Sequence, residues 1–243
     1  MKDITEIVED LVNSLDFTFV ADLSTFDNDN FLLTTKNTYW LTLGQKITIN
    51  IAGQDYVYKI VSLKINEYII LKPTLQGTPQ PPEGELFAIP KPTYRHGTAM
   101  AINEELSTLQ DDDKRLFFWL YGVNGETFAE AIDSSIERIT PIRVFIFAES
   151  YPEQWTTEDH YTNVIRPLSQ LFLAFRNAIK NNESLFTDIQ DFEQIYLPNW
   201  VEFNLLGSSS ANKSFEARIF DEDWSGIEGR TTLNIKNQRD CFI

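Results

Sequence analysis

The segment that most constrains the fold runs from Ile139 to Asn182, because a strand that is apolar on both faces leads into an amphipathic helix. The strand, Arg143–Ala148, is rich in β-branched and aromatic residues, and it is bounded by Pro141 and Pro152. A short apolar run of this kind is typical of a central strand covered on both sides. The segment therefore predicts a layered protein in which other elements pack over both faces of one sheet.

The helix that follows carries one broad apolar stripe. The residues that form it at helical spacing are Tyr161, Val164, Ile165, Leu168, Phe172, Phe175 and Ile179. Such a stripe is suited to lie across a sheet. Thr156 or Thr157 is the expected N-cap, and Pro167 predicts a kink because it removes one helical hydrogen bond.

The composition indicates a folded protein and argues against a non-specific nucleic-acid binder. The 243 residues are 42% hydrophobic, and 36 acidic against 20 basic side chains give a net charge of −16. Sequence-independent binding to phosphates needs clustered Lys and Arg, which this charge disfavours. Cys241 is the single cysteine, and no apolar stretch approaches the roughly 20 residues that span a bilayer. With no signal-peptide pattern at the N-terminus, we expect the protein to fold in a reducing cytosol.

The pattern of elements changes near Pro92. Before it, the sequence predicts a helix over residues 3–15 and strands over residues 17–23, 38–43, 46–51, 56–65 and 68–71. After it, helices alternate with strands. We therefore predict an α+β protein. Residues 1–91 would form an N-terminal helix plus a small antiparallel β-barrel-like meander, and residues 92–243 an α+β assembly domain whose mixed or antiparallel sheet is covered by helices.

The second part of the chain is predicted in less detail. The expected elements are a helix over residues 99–109 ending in the acidic turn 111–113, a strand over 116–121, and strands over 200–205, 215–220 and 231–235. The last of these alternates polar and apolar residues, which predicts a half-exposed strand. Residues 126–138 and 185–196 remain open between helix and strand.

Two polar loops are the expected contact sites with other proteins. Leu75–Glu85 is rich in Pro and Gly, and Asp27–Asn30 is a short polar loop. Exposed loops without internal hydrogen bonds can become ordered when they dock on a partner. The candidate interface residues are Asp27, Asn30, Gln76, Pro79, Pro82 and Glu85. The alternative is that both are ordinary surface loops.

Little in the sequence points to catalysis. His96 and His160 are the only histidines, and we expect structural or surface roles for both, His160 in a helix-capping turn or on the surface. The usual nucleotide, zinc and redox motifs do not occur. With 36 acidic residues, carboxylate pairs arise by chance and none stands out. We therefore predict no catalytic residues and no cofactor.

One acidic stretch matches the first half of a calcium-binding loop. Asp221, Asp223 and Ser225 would supply oxygen ligands at alternate positions, and a glycine follows. The second half departs from the pattern, because Glu228 stands where an apolar residue is expected and Thr232 where a bidentate glutamate is expected. The alternatives are an incomplete calcium site and a plain acidic turn.

Four segments that cover about half of the chain follow one another as helix, strand, strand and long helix. They are His96–Leu106, Leu116–Leu120, Pro141–Phe147, and the helix that begins at Trp155–Tyr161 and continues through Val164–Pro167. In this order they resemble the tail-terminator or tail-completion proteins of tailed bacteriophages, in particular neck and tail ring proteins of crAss-like and related phages. The N-terminal β domain departs from the compact single-domain terminators.

This resemblance implies a non-enzymatic structural protein of the virion. It implies a homo-oligomeric ring, six- or twelve-fold, in the neck or tail, as a head-to-tail connector, tail adaptor or tail terminator. Its partners would be the portal or other neck and tail proteins, with assembly in the host cytoplasm and no membrane association. An acidic ring could surround DNA without arresting it, because like charges repel.

A binding module is the alternative function. Its face would be formed by aromatic residues of the meander, although about half of them should belong to the core. These are Tyr39, Trp40, Tyr56, Tyr58 and Tyr68. The ligand would be a carbohydrate or a protein, and a carboxylate-based hydrolase is the third possibility.

Overall fold

The computed structural model describes residues 2–27, 29–84, 86–98, 101–102, 104, 116–122, 125–130, 136–150, 154–200 and 224–236. The helices are α1 (Ile4–Asn13), α2 (Thr157–His160) and α3 (Arg166–Asn181), with a π-helical turn, Tyr161–Ile165, between the last two. The strands are β1 (Thr18–Val20), β2 (Leu23–Asp27), β3 (Asn30–Thr34), β4 (Lys46–Ile51), β5 (Gln54–Lys64), β6 (Tyr68–Pro73), β7 (Leu86–Ala88), β8 (Thr93–Gly97), β9 (Leu116–Tyr121), β10 (Thr127–Glu130), β11 (Ile136–Glu149), β12 (Phe186–Trp200) and β13 (Trp224–Lys236). The protein is α+β, as the sequence predicts, and these elements are mostly strands.

The larger sheet has six strands in the order β12-β13-β11-β9-β8, and β10 pairs with β11 beyond the end of β9. All of its pairs are antiparallel except β8 with β9, which run parallel. The pairing of β11 with β13 is continuous over 13 residue pairs, from Glu137 with Lys236 to Glu149 with Trp224. Neighbouring strands on both sides are therefore positioned by these two long strands.

The central strand β11 is covered on both faces, which confirms the prediction for this segment. On one face, Val144, Ile146 and Ala148 are buried. On the opposite face, Phe145 and Phe147 pack in an aromatic cluster with Phe117, Trp119 and Trp224. The alternation of the strand thus supplies two separate apolar surfaces.

The helix α3 lies over the first of these faces. Its buried side chains are Pro167, Leu168, Leu171, Phe172, Phe175 and Ile179. The ring of Phe172 occupies the space above Gly229 of β13, where an added Cβ would lie 2.0 Å from Phe172 Cε2. The π-helical turn lies immediately before Pro167, in the region where the sequence predicts an interrupted helix.

The helix α1 packs beside α3 on the same sheet. Its buried residues are Ile4, Ile7, Val8, Leu11 and Val12, and it contacts α3, β8 and β9. Tyr94 Oη donates a hydrogen bond to the Thr5 carbonyl at 2.8 Å, and Arg138 Nη1 donates to the Lys2 carbonyl at 3.2 Å. A helix from the predicted first domain therefore covers the sheet of the second, and the boundary at residues 91 and 92 stays a prediction.

The smaller sheet has five antiparallel strands in the order β2-β3-β6-β5-β4. The prediction of a sequential meander is wrong, because β3 pairs with β6 instead of β4. Within the described ranges its outer strands, β2 and β4, do not pair with each other, so the sheet is open. The predicted strand 38–43 is also wrong, since this segment forms turns and Trp40 Nε1 donates to the Pro90 carbonyl at 3.0 Å.

Other predictions are corrected by the pairing of distant strands. His96 lies on strand β8 and not at a helix start, and the described helical residues nearby are 101, 102 and 104. The last strand, β13, is mostly buried because it lies between β11 and β12, so the prediction of a half-exposed strand is wrong. Within the segments left open, residues 127–130, 136–138 and 186–196 form strands. The predicted elements over residues 111–113, 201–205 and 215–220 lie outside the described residues.

The contact between Phe172 and Gly229 generates a stability prediction. A Gly229→Ala substitution would place its methyl group against the Phe172 ring and 3.1 Å from Val144 Cγ2. Because the ring is 3% exposed and cannot move freely, we expect a loss of about 1–3 kcal/mol in the free energy of unfolding. Urea denaturation followed by circular dichroism measures this loss.

Gly122→Ala is the matched control, because an added Cβ there meets no atom within 4 Å. Its unfolding free energy should stay within about 0.5 kcal/mol of the unchanged protein. A Phe172→Leu substitution combined with Gly229→Ala should cost less than the sum of the two single changes, since the smaller side chain vacates the space. Additive effects would show that the two residues do not interact as described.

Candidate functional site

A charged cluster lies on the face of the larger sheet that points away from α3. Glu228 on β13 accepts hydrogen bonds at 2.5 Å from Arg143 Nε and from Arg230 Nε. The Glu228 side chain is only 5% exposed, while Arg230 also approaches Glu193 of β12 at 3.6 Å. The register brings these groups together, because Arg143 pairs with Arg230 and Phe145 with Glu228.

The two arginines determine the charge state of Glu228. Burial by itself would raise the pKa of this carboxyl, but the hydrogen bonds from Arg143 and Arg230 outweigh it, and the pKa lies below its ordinary value. Arg143 is also held over the rings of Tyr121 and Phe145, at 5.3 and 4.8 Å from their centroids. The cluster ties three strands together, and each of its carboxylates is occupied by an arginine of the same chain.

The sequence pattern only partly indicates this cluster. Glu228 and Arg230 are two residues apart on a strand, so their side chains share a face, and that spacing is a signal that could have been used. The contribution of Arg143 depends on how β11 pairs with β13, and the spacing of Glu228 and Arg230 along β13 does not predict that pairing.

A second polar pair lies at the base of α2. His160 Nδ1 and Ser225 Oγ share a hydrogen bond at 2.9 Å, and the two residues are 2% and 0% exposed. Trp155 packs edge-on against the His160 ring at 5.3 Å. Of the two predicted positions of His160, the surface is wrong because the side chain is buried, while the turn capped by Thr156 is where the residue lies. Because both groups are buried, this pair anchors the helix to β13.

The cap of α2 agrees with the sequence prediction. Thr156 is the N-cap, since its Oγ1 accepts from the Asp159 N–H at 3.3 Å. Asp159 Oδ2 in turn accepts from the Thr156 N–H at 2.7 Å, and these hydrogen bonds hold the pKa of Asp159 below its usual value. Asp159 is thus engaged with Thr156 and does not orient the neighbouring histidine.

The predicted interface loop is fastened to the smaller sheet. Tyr58 Oη donates to the Pro79 carbonyl at 2.7 Å, and Gln80 Nε2 donates to the Ser24 carbonyl at 2.7 Å. The N–H of Ser24 donates to Glu83 Oε1 at 3.3 Å. The expectation of a loop without internal hydrogen bonds is therefore wrong, because the segment is already held along β2.

The candidate interface residues lie around this fastened loop. Asp27 and Asn30 end β2 and begin β3, and thus flank the turn of the hairpin to which the loop is tied. Gln76 is exposed, while Pro79 and Pro82 are half-buried. Glu85 lies outside the described residues. The loop is therefore fastened to β2, the strand that leads into the other predicted contact loop.

The aromatic residues of the alternative binding face divide between core and surface. Trp40 is 1% and Tyr58 0% exposed, so they belong to the core, as predicted for about half of the set. Tyr39, Tyr56 and Tyr68 are half-buried. Burial of Tyr58 raises its pKa to about 12, so its hydroxyl remains protonated and donates to the loop.

A cleft of about 410 Å³ opens where the smaller sheet meets the start of α3. Its lining is about equally polar and apolar and consists of Asn37, Tyr39, Ile65, Asn66, Arg166, Pro167 and Gln170. Asn66 is engaged, because its Oδ1 accepts from the Thr38 N–H at 3.3 Å. Arg166 forms no ion pair with any residue of the described ranges, so the cleft presents one exposed cation to its surroundings.

Of the three predicted calcium ligands, only Ser225 lies within the described residues. Asp221, Asp223 and Cys241 lie outside the described residues. Ser225 lies within strand β13 and its side chain is directed to His160. In the ranges that are described, no three His, Cys, Asp or Glu side chains come together as a metal site would require.

Comparison with known proteins adds no identification. No protein-family model matches the chain. No curated protein shows significant similarity to it. Among the helices that the structure describes, none combines the length and the apolar character needed to cross a membrane.

The buried Glu228 predicts a specific pH dependence of stability. Replacing it as Glu228→Gln leaves two arginines without their shared carboxylate, so we expect a loss of about 1–3 kcal/mol at pH 7. Because its folded pKa is depressed, the stabilisation is present above the usual unfolded value of about 4.3 and is lost as the pH falls through the lower folded value. Urea denaturation from pH 7 down to pH 3 measures the difference.

Glu193→Gln is the control, since Glu193 is 59% exposed and lies 3.6 Å from Arg230. It should change stability little at any of these pH values. If the two variants showed the same pH dependence, the buried cluster would not be the source of the effect.

Proposed function

We propose that this protein is a structural component of a tailed bacteriophage virion that forms a ring in the neck or tail. It acts as a head-to-tail connector, tail adaptor or tail terminator, and it works through contacts with its own copies and with portal or other neck and tail proteins. Residues 92–243 serve as the assembly domain of the tail-terminator type, and residues 1–91 contribute the contact loops. It assembles in the host cytoplasm and remains in the virion.

The observation that carries the proposal is the pre-ordered surface around the loop 74–84. The loop is held to β2 and β5 by hydrogen bonds at Pro79, Gln80 and Glu83. Leu75 at its exposed end is 74% accessible, which is the largest exposure among the large apolar residues described. A fixed loop that presents an apolar side chain loses little entropy on docking, so it is suited to a permanent protein contact.

The larger sheet supplies a suitable frame for such contacts. Its long strands β11 and β13 are clamped by the Glu228 cluster on one face and by α3 on the other. The acidic net charge of −16 is compatible with DNA passing through a ring, because it discourages phosphate contacts.

Negative-stain microscopy of the purified chain, alone and with portal and tail proteins from the same phage, tests this proposal. We expect rings of six- or twelve-fold symmetry in the mixtures with a partner that acts as template. A chain that joins no ring under any of these conditions would contradict the proposed function. Binding on a glycan array by a monomeric chain would instead favour the alternative of a carbohydrate-binding module.

The loop surface gives a sharper prediction for the same assay. Leu75→Asp places a charge on the exposed apolar end of the loop, and we expect its association in the ring or with the partner to weaken by about tenfold or more. Val61→Asp, at a residue of β5 that is 40% exposed, is the matched apolar-to-acidic control. Both variants should keep their thermal midpoint. Equal assembly by both would show that the loop is not a contact site.

A further inference from the structure

The two helices that cover the larger sheet carry opposite charges on their exposed faces. Within α1 the charged residues are Glu6, Glu9 and Asp10, all acidic and all exposed. Within α3 they are Arg166, Arg176 and Lys180, all basic and all exposed. The second set is unusual in a chain with 36 acidic and 20 basic residues. We call these two exposed faces together the helix layer.

The charges have matching spacing. Arg176 and Lys180 are four residues apart, so they lie one above the other on the surface of α3. Glu6 and Asp10 have the same separation on α1, with Glu9 beside them; Glu6 also accepts the Asp3 N–H at 3.0 Å, and Asp10 is paired with Lys2 of the same chain. At 1.5 Å per residue each pair spans about 6 Å along its helix, so the two carboxylates meet two cations in one register once Asp10 exchanges its exposed contact with Lys2 for the second copy.

An apolar residue lies next to the basic pair. Leu173 is 44% exposed, one turn before Arg176 on the same helix. At the far end of this face, Arg166 and Gln170 line the 410 Å³ cleft beside the smaller sheet. Cations thus lie at both ends of the exposed face of α3, with the exposed Leu173 between them. A face of this composition is suited to contact an acidic protein surface.

We propose that two copies of this chain pair through the helix layer, with the acidic face of α1 in each copy against the basic face of α3 in the other. Charge complementarity identifies the occupant, because each chain carries both halves of the contact. The helices pack side by side, so a two-fold axis in the interface satisfies both contacts at once. The contact is isologous and closes on itself.

This pairing goes beyond the proposed ring, because it needs no portal or tail protein and is a property of the isolated chain. It leaves the loop surface around Leu75 free for other contacts. The two ideas are therefore tested separately: the pair by the mass of the isolated chain, and the ring by microscopy with its partners.

Sedimentation velocity over a concentration series in 50 mM NaCl tests the pair. We expect a monomer–dimer equilibrium whose dissociation constant rises about tenfold or more in 500 mM NaCl, because exposed ion pairs are screened. A chain that stays monomeric at about 100 μM in low salt, a concentration well above the micromolar constants of weak specific pairs, would overturn the proposal.

A charge swap tests the surface itself. The variant Arg176→Glu with Lys180→Glu makes both helix faces acidic, and the variant Glu9→Lys with Asp10→Lys makes both basic while leaving the capping contact between Asp3 and Glu6 intact. Each should be monomeric because like charges would meet. Mixed together they should form a heterodimer, since every contact is again between opposite charges. Failure to associate on mixing would overturn the assignment.

Lys59→Glu with Lys72→Glu is the matched control, because it makes the same change in charge at a cross-strand pair of the smaller sheet. This variant should dimerise as the unchanged chain does. A fluorescent duplex oligonucleotide serves as the competing ligand in the same measurements. If the chain stayed monomeric but bound the duplex, and lost it in the α3 variant, the basic face would be a nucleic-acid contact and the pairing would be refuted.

Discussion

The antiparallel pairing of β11 with β13 is the interaction on which the rest of the larger sheet depends. It sets Glu228 beside Arg143, and on the opposite face it places Gly229 beneath the ring of Phe172. A shift of one residue would exchange the two faces of β13, which would put a carboxylate under the helix and a glycine among the arginines. The charged cluster and the seat of the helix therefore both enforce the same register.

Local sequence patterns are sufficient to predict the elements whose stabilising residues lie close together in the chain. The central strand near Phe145 could be predicted because its apolar run is short and bounded, and the cap at Thr156 because both of its hydrogen bonds lie within four residues. The same holds for α1, where Asp3 and Glu6 form the capping box. In each case the residues that decide the structure are neighbours in the chain.

The features that were missed depend on contacts between distant residues. The buried His160 shares its hydrogen bond with Ser225 on β13, which lies 65 residues later in the chain. No local sequence pattern contains that partner. His96 lies on a strand because β9 runs parallel to it across an intervening segment. The segment around Trp40 has the composition of a strand, yet it is used as a buried turn whose indole reaches the Pro90 carbonyl. The basic residues of α3 are a different case, because the acidic excess of the whole chain hides a local basic face.

The strand order of the larger sheet has a consequence for synthesis of the chain on the ribosome. β13 is the last described strand, but it lies between β11 and β12, which are made before it. Until β13 emerges, β11 and β12 each have one edge without its hydrogen-bonding partner. Phe172 of α3 also lacks Gly229, the residue over which its ring packs. The larger sheet therefore closes only after Lys236 has been made, and a nascent chain that stalls earlier exposes two long edges to aggregation.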